Sequence, residues 1–192
     1  MIGMMYLVLT ALLALNVSKD ILDAFIVVNK GLESTNDNFT ARNENLYAEF
    51  DIAKSVDPVK VTPNWKLAQM IRKNSADLTD YIEKLQNELI ARTDKIEQTV
   101  ADTLQMANIS SKDNYDIPTN ILIGESEDGS AGVSRLLKNK LITYREQLTA
   151  CILPQDRKSV KLDIDTEDPE NTFTNENWEL YNFYHRPLVA SI

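Results

Sequence analysis

The sequence predicts a mainly α protein: a single N-terminal transmembrane helix that runs on into an extracytoplasmic helical bundle with minor β content. Three observations carry this. Met1 to Val17, MIGMMYLVLTALLALNV, is an apolar run with no Asp, Glu, Lys, Arg, His or Pro. At about 1.5 Å per residue it reaches, with its flank, most of the way across a hydrocarbon core about 30 Å thick. Apolar residues then recur at steps of three, four or seven, the helical period, and no proline intervenes before Pro58. Strand-like alternation is confined to one short stretch after Val160.

Other readings of the first run fit less well. A secretory leader wants a basic segment ahead of its apolar core, and no basic residue precedes this one. The apolar positions also continue through Ile21, Leu22, Phe25, Val28, Leu32, Phe39, Leu46 and Phe50, as a cleaved leader rarely does. A buried core helix is the usual fate of a shorter run, and an interfacial helix would show a polar face rich in Lys or Arg. Within the span, Gly3, Tyr6, Thr10 and Asn16 put small or polar groups at membrane depth, and Gly3, Tyr6 (or Leu7), Thr10 and Ala14 share one helical stripe. Such residues let helices approach and hydrogen-bond where lipid offers no partner. The plainer alternative makes Tyr6 an interfacial anchor and Asn16 the opposite boundary.

Composition narrows the function. With 20 Lys+Arg against 29 Asp+Glu the net charge is −9, and nucleic acid is excluded for want of a basic surface. One Cys cannot form an internal disulfide, and Cys151 between Ala150 and Ile152 reads as a small buried hydrophobe. No nucleophile, base and oxyanion donors can be assembled from one His and one Cys, and no cofactor or metal is expected. After the run, Lys19, Lys30 and Arg42 are scattered among acids, the flank of a non-cytoplasmic side.

From Ser18 to about Val56 the pattern stays helical. Phe25, Leu32, Phe39 and Leu46 are seven apart, with Val28, Thr35 and Arg42 between them, so they form a helix-facing seam, more polar farther out. Asp57-Pro58 and Val61-Thr62-Pro63 break it. Thr62 is expected to cap a second helix with Pro63 at its first position, running to about Met106 with Trp65, Ala68, Ile71, Leu78, Ile82, Leu85, Leu89, Ile96 and Val100 on its apolar face. Residues 107–132 read as a long loop over a helix end. Gly124, Gly129 and Gly132 lie among acids that would repel phosphate, and no GK[ST] follows them.

A third helix is expected over Ala131–Leu153, stopped by Pro154. Val160, Leu162 and Ile164 alternate with charged residues as in a half-exposed strand. Asp163, Asp165 and Glu167 begin like a calcium loop, but Asp168 stands where glycine is required and Thr174 where a bidentate acid is. An acidic turn is the better account. Trp178, Leu180, Tyr181, Phe183, Tyr184 and His185 form an aromatic patch before a last helix that begins at Pro187, and His185 has no companion metal ligand near it in sequence.

Met4 through Phe25, MMYLVLTALLALNVSKDILDAF, resembles the N-terminal signature of the GldM/PorM family, inner-membrane proteins of the gliding-motility and type IX secretion machinery of Bacteroidetes bacteria. The order of helices, the acidic glycine loop and the FYHRPLVA end fit that family's first periplasmic domain. The resemblance implies a homodimer whose two transmembrane helices sit inside a ring of GldL/PorL-type subunits in inner-membrane lipid. That complex uses the proton-motive force; an acid on the ring handles the protons, and this chain would be the rotor or shaft reaching distal periplasmic and outer-membrane secretion components. Tyr6 falls on the family's motif tyrosine at the ring interface, with Thr10, Gly3 and Asn16 as its companions, while Phe25, Leu32 and Phe39 become the seam between two copies.

The expected organisation is a transmembrane helix over 1–18, its continuation over 19–56, and the rest of a first periplasmic domain over 57–192, cut from a longer protein. The family's N-terminal arginine falls ahead of Met1, and its later β-rich domains beyond Ile192. Two other classes remain: a passive anchored scaffold, and an anchored sensor with Trp178–His185 as ligand site.

Overall fold

A computed structural model describes the backbone of residues 2–170 and 176–192, and the side chains of 3–6, 19–170 and 176–192. Helix α1 (Ile2–Val56) runs without a break for 55 residues, roughly 80 Å at the helical rise. No loop separates the apolar run from the rest of the helix. The chain then reverses at Asp57 (φ −134°, ψ 80°), whose carboxylate accepts from the Lys60 N–H, with Pro58 at the first position of α2 (Pro58–Asp94).

The expected start at Thr62-Pro63 is therefore corrected: Asp57-Pro58 supplies the same cap chemistry five residues earlier. Pro63 lies inside α2 at the loss of one backbone bond near the helix start. The expected end at Met106 is corrected as well. Helix α2 stops at Lys95, which takes the left-handed conformation (φ 55°), its N–H bonding the Ala91 carbonyl.

The two helices are antiparallel, as Asp51 with Trp65 and Glu44 with Arg72 establish. In the same register Asp94 lies level with Leu22. The first 20 residues of α1, roughly 30 Å, thus extend past the end of α2.

The core sits at the other end of α2. Leu85, Leu89, Ile90 and Ala91 pack with Ala101 of α3 (Gln98–Ala101), Ile109 after a 3-10 turn (Met106–Asn108), Leu122 of α4 (Asp116–Leu122) and Leu188 of α7 (Leu188–Ser191). Each fully buried Leu contributes about 2–3 kcal/mol. The Asp94 carboxylate takes the N–H groups of Ser110 and Ser111 at 2.7 and 2.8 Å, and Leu188 and Val189 donate to the carbonyls of Asn114 and Lys112. The predicted loop 107–132 is thus only partly a loop, since α4 lies within it.

Its glycines have packing reasons. Gly124 and Gly129 have φ of +74° and +70°, and a Cβ on Gly132 would stand 1.9 Å from the Leu122 carbonyl oxygen. That contact lets Ser134, at the start of α5 (Val133–Cys151), donate to the same carbonyl.

Helix α5 packs antiparallel on α2 through Asn74 with Gln147 and Ser75 with Tyr144. Its last residue is level with about Leu67–Met70 of α2. Beyond that level α1 and α2 continue as a hairpin without α5.

No strand is present among the described residues, so the expected β content is corrected. The alternation after Val160 is real: Leu162 and Ile164 are half-buried and Thr166 is buried, while Lys161, Asp163 and Asp165 are exposed. Among the described residues no second strand pairs with it to form a ladder. Side chains take its carbonyls instead, Arg145 at Ile164 and Trp178 Nε1 at Asp165. Helix α6 (Trp178–Phe183) is held over α5 by Glu179, which is wholly buried, with Arg135 Nε at 2.8 Å and Lys138 Nζ at 3.4 Å. Lys138 also reaches Asp168 at 2.8 Å, and with the Trp178 N–H it holds that carboxyl below its ordinary pKa.

Candidate interaction surface on the long helix

What distinguishes α1 is how little of it the rest of the chain covers. Every described side chain from Lys30 to Leu46 is exposed. The helix is held at two places. Near its base, Leu22, Ile26 and Asn29 are half-buried, on the side of the 3-10 turn and α7. Near the hairpin's tip, Trp65 donates to Asp51 and lies under the Lys54 ammonium, 3.2 Å from the ring centroid, while Arg72 chelates Glu44 and caps the Tyr47 ring. Between these points α1 and α2 diverge around a polar groove of about 510 Å³ lined by Asn29, Glu33, Asn36, Glu83, Gln86 and Asn87, among others.

The sevenfold seam lies on the uncovered flank. Phe25, Leu32 and Phe39 are 38%, 57% and 57% exposed, and Ile21, Val28 and Leu46 are exposed along the same line. Together they make an apolar row along some 40 Å of helix that nothing among the described residues covers, more than the scattered single apolar residues of an ordinary surface.

Of the residues expected in the membrane, Gly3 and Tyr6 are exposed, and a Cβ on Gly3 would meet nothing within 4 Å. The side chains of Thr10, Ala14 and Asn16 lie outside the described residues. Among the described residues no helix is long and apolar enough to cross a membrane; the side chains of 7–18, most of the apolar run, lie outside what is described.

The other expectations resolve differently. Trp178 is buried, its indole N–H spent on the Asp165 carbonyl and its ring edge-on to the half-buried Phe183, while Tyr181, Tyr184 and His185 of the same patch are exposed. His185, at φ 51°, stacks on Tyr115 at 5.0 Å between ring centroids. Cys151 is half-buried and not fully in the core. Among the described residues no three His, Cys, Asp or Glu side chains gather to hold a metal.

Sequence reasoning missed the clamp. Spacing alone puts Trp65 on an apolar face, whereas it binds α1 through its N–H and its ring. A hairpin signal was present in Asp57-Pro58, from which the antiparallel pairing of Trp65 with Asp51 follows.

A long helix anchored at two points to a small helical body, with an apolar flank left open, defines a structural arm. The match to known families agrees: residues 20–192 fit the GldM N-terminal domain, and the chain belongs to that family of gliding-motility and type IX secretion components. It is a family of structural, motor-associated components and not a known enzyme family. No curated protein matches the chain.

Proposed function

We propose that this chain is the rotor or shaft subunit of an inner-membrane motor driven by the proton-motive force, carrying motion from a ring of GldL/PorL-type subunits into the periplasm for type IX secretion and gliding. The observation that carries this is α1 itself: one uninterrupted helix whose backbone bonds are all internal, with no proline between Ile2 and Val56. A break near residue 18 would absorb torque; a continuous helix passes it to the clamp at Trp65 and Arg72.

In this reading residues 1–18 span the inner membrane. Two features support the span: the run Met1–Val17 carries no charge, and the part of α1 reaching past α2 is about as long as a bilayer core is thick. The body then sits in the periplasm against the outer leaflet side. Two copies pair along Phe25, Leu32 and Phe39, whose exposure in one chain supports a homodimer. Tyr6, with Thr10, Gly3 and Asn16, faces the ring, and the distal domains of the full protein engage outer-membrane secretion components. Burial of Trp178 weighs against the sensor alternative.

The test is Tyr6→Ala in the native membrane complex. Gliding and secretion should fall severalfold while the complex with the ring still assembles. Loss of assembly would instead make Tyr6 a scaffold contact, and unchanged secretion would remove the ring-facing role.

A further inference from the structure

We infer that the extended segment Val160–Thr166 is an open sheet edge that takes a strand from a partner protein, one with basic residues at alternate positions and apolar residues between them. It lies on a face of the body that the shaft reading does not use. The segment runs from Val160 to Thr166 with no turn or bend, roughly 20 Å, the length of an ordinary strand. Leu162 and Ile164 are half-buried and Thr166 is buried, so one face is seated. Arg145 Nη1 holds the Ile164 carbonyl at 3.2 Å and Trp178 Nε1 the Asp165 carbonyl at 3.1 Å. The shape is thus set before a partner arrives, which lowers the ordering cost of binding.

The backbone shows which side is open. In an extended chain the N–H and C=O of one residue point to one side and those of the next residue to the other. On the side of Val160, Leu162 and Ile164, the Val160 N–H is spent on the Asp156 carbonyl and the Ile164 carbonyl on Arg145. On the side of Lys161, Asp163 and Asp165, only the Asp165 carbonyl is taken. Both backbone groups of Lys161 and of Asp163 have no partner among the described residues. Two alternate residues, each offering a donor and an acceptor, are what an added strand pairs with. Proline and inward-pointing charge, two of the usual devices that close an edge, do not occur in the segment.

The side chains define the strand that fits. The outward row is Lys161, Asp163 and Asp165, followed by Glu167, Asp168 and Glu170. Lys161 and Asp163 pair with each other at 2.8 Å, which leaves Asp165 without an ionic partner among the described residues. Basic side chains on the added strand complement this acidic row, and the residues between them fall beside Leu162 and Ile164, where apolar groups suit. A second copy of this chain fits poorly, because antiparallel pairing about Asp163 sets two carboxylates opposite one another.

The probe is a synthetic peptide alternating lysine and valine, titrated into the full chain beside a peptide of the same composition with its lysines and valines in two blocks. The alternating peptide should bind saturably and about tenfold more tightly, since it alone puts its charges on one face of a strand. Equal affinity means charge attraction alone and overturns the inference. Asp163→Pro removes the N–H and should weaken binding about tenfold, because a carbonyl of the added strand loses its donor. Asp163→Ala keeps the N–H and should cost about threefold, the worth of a cross-strand charge pair. Equal losses in the two variants assign the effect to the side chain and overturn the strand. Hydrogen exchange resolved to single amides needs no variant. The amides of Lys161 and Asp163 should exchange freely in the chain alone and about tenfold more slowly with the alternating peptide bound, while that of Leu162 changes little. Protection of Lys161 and Asp163 in the chain alone means that the edge is already filled and overturns the inference, as does no protection with the peptide bound.

Discussion

Replacing Phe39 with alanine separates what α1 does for its own chain from what it does for a partner. Phe39 is 57% exposed and lies in the stretch from Lys30 to Leu46 where α1 buries nothing against its own body. With about 200 Å² for a Phe side chain, roughly 115 Å² remains to be covered, worth ~3 kcal/mol at ~25 cal/mol per Å². A symmetric dimer loses this twice, about 6 kcal/mol before the usual shortfall between buried area and affinity. Half of it still weakens the dimer about a hundredfold. Sedimentation equilibrium over a concentration series measures the dissociation constant, and far-ultraviolet circular dichroism checks the fold, which should keep its helical content. An unchanged dissociation constant would refute the seam. So would a large loss of helix in the isolated chain, since Phe39 would then serve the monomer.

Further outcomes follow from the body. Gly132→Ala should lower stability by about 3 kcal/mol or more, because its Cβ would collide with the backbone of Leu122 and Ile123 and no side chain there can yield; a thermal melt within a degree or two of the parent would contradict this. Glu179→Ala should cost about 3–5 kcal/mol in urea unfolding, since Glu179 is wholly buried and pairs with Arg135 and Lys138. Arg135 Nε is close to Oε1 but poorly aligned for a hydrogen bond, so charge and not geometry holds that pair, and Glu179→Gln should be nearly as damaging. Asp128, whose carboxylate accepts from Ser130, is lowered from 3.8 to about 2. Folding favours its ionised form, so its contribution is complete above about pH 4 and is lost as pH falls through about 2. A carboxyl resonance titrating at 3.8 or above would show that this turn does not hold it.

Much of the helical plan was legible in the sequence because it rests on period and punctuation. The unbroken pattern through Val56 marks α1, and α5, at Val133–Cys151, lies within two residues at each end of the expected Ala131–Leu153. The errors came where local signals competed or were missing. Two caps of equal quality, Asp57-Pro58 and Thr62-Pro63, stand five residues apart, and the geometry of the hairpin selects the first. Lys95 ends α2 in a left-handed conformation that neither glycine nor proline announces. The alternation at Leu162 and Ile164 reports faithfully which side faces in, but a strand also needs a neighbour, which no local pattern reveals. For the interaction surface, the seam residues were readable from their sevenfold spacing, whereas the clamp at Asp51, Lys54 and Trp65 depends on the chain folding back on itself.

The measurement that tests the central claim most directly is the copy number of each subunit in the complex released from membranes, determined by native mass spectrometry after co-expression with the neighbouring membrane proteins. Two copies of this chain within a ring of another small membrane protein are expected if α1 is the shaft of the motor. One copy, or a pair with no ring around it, would contradict that account.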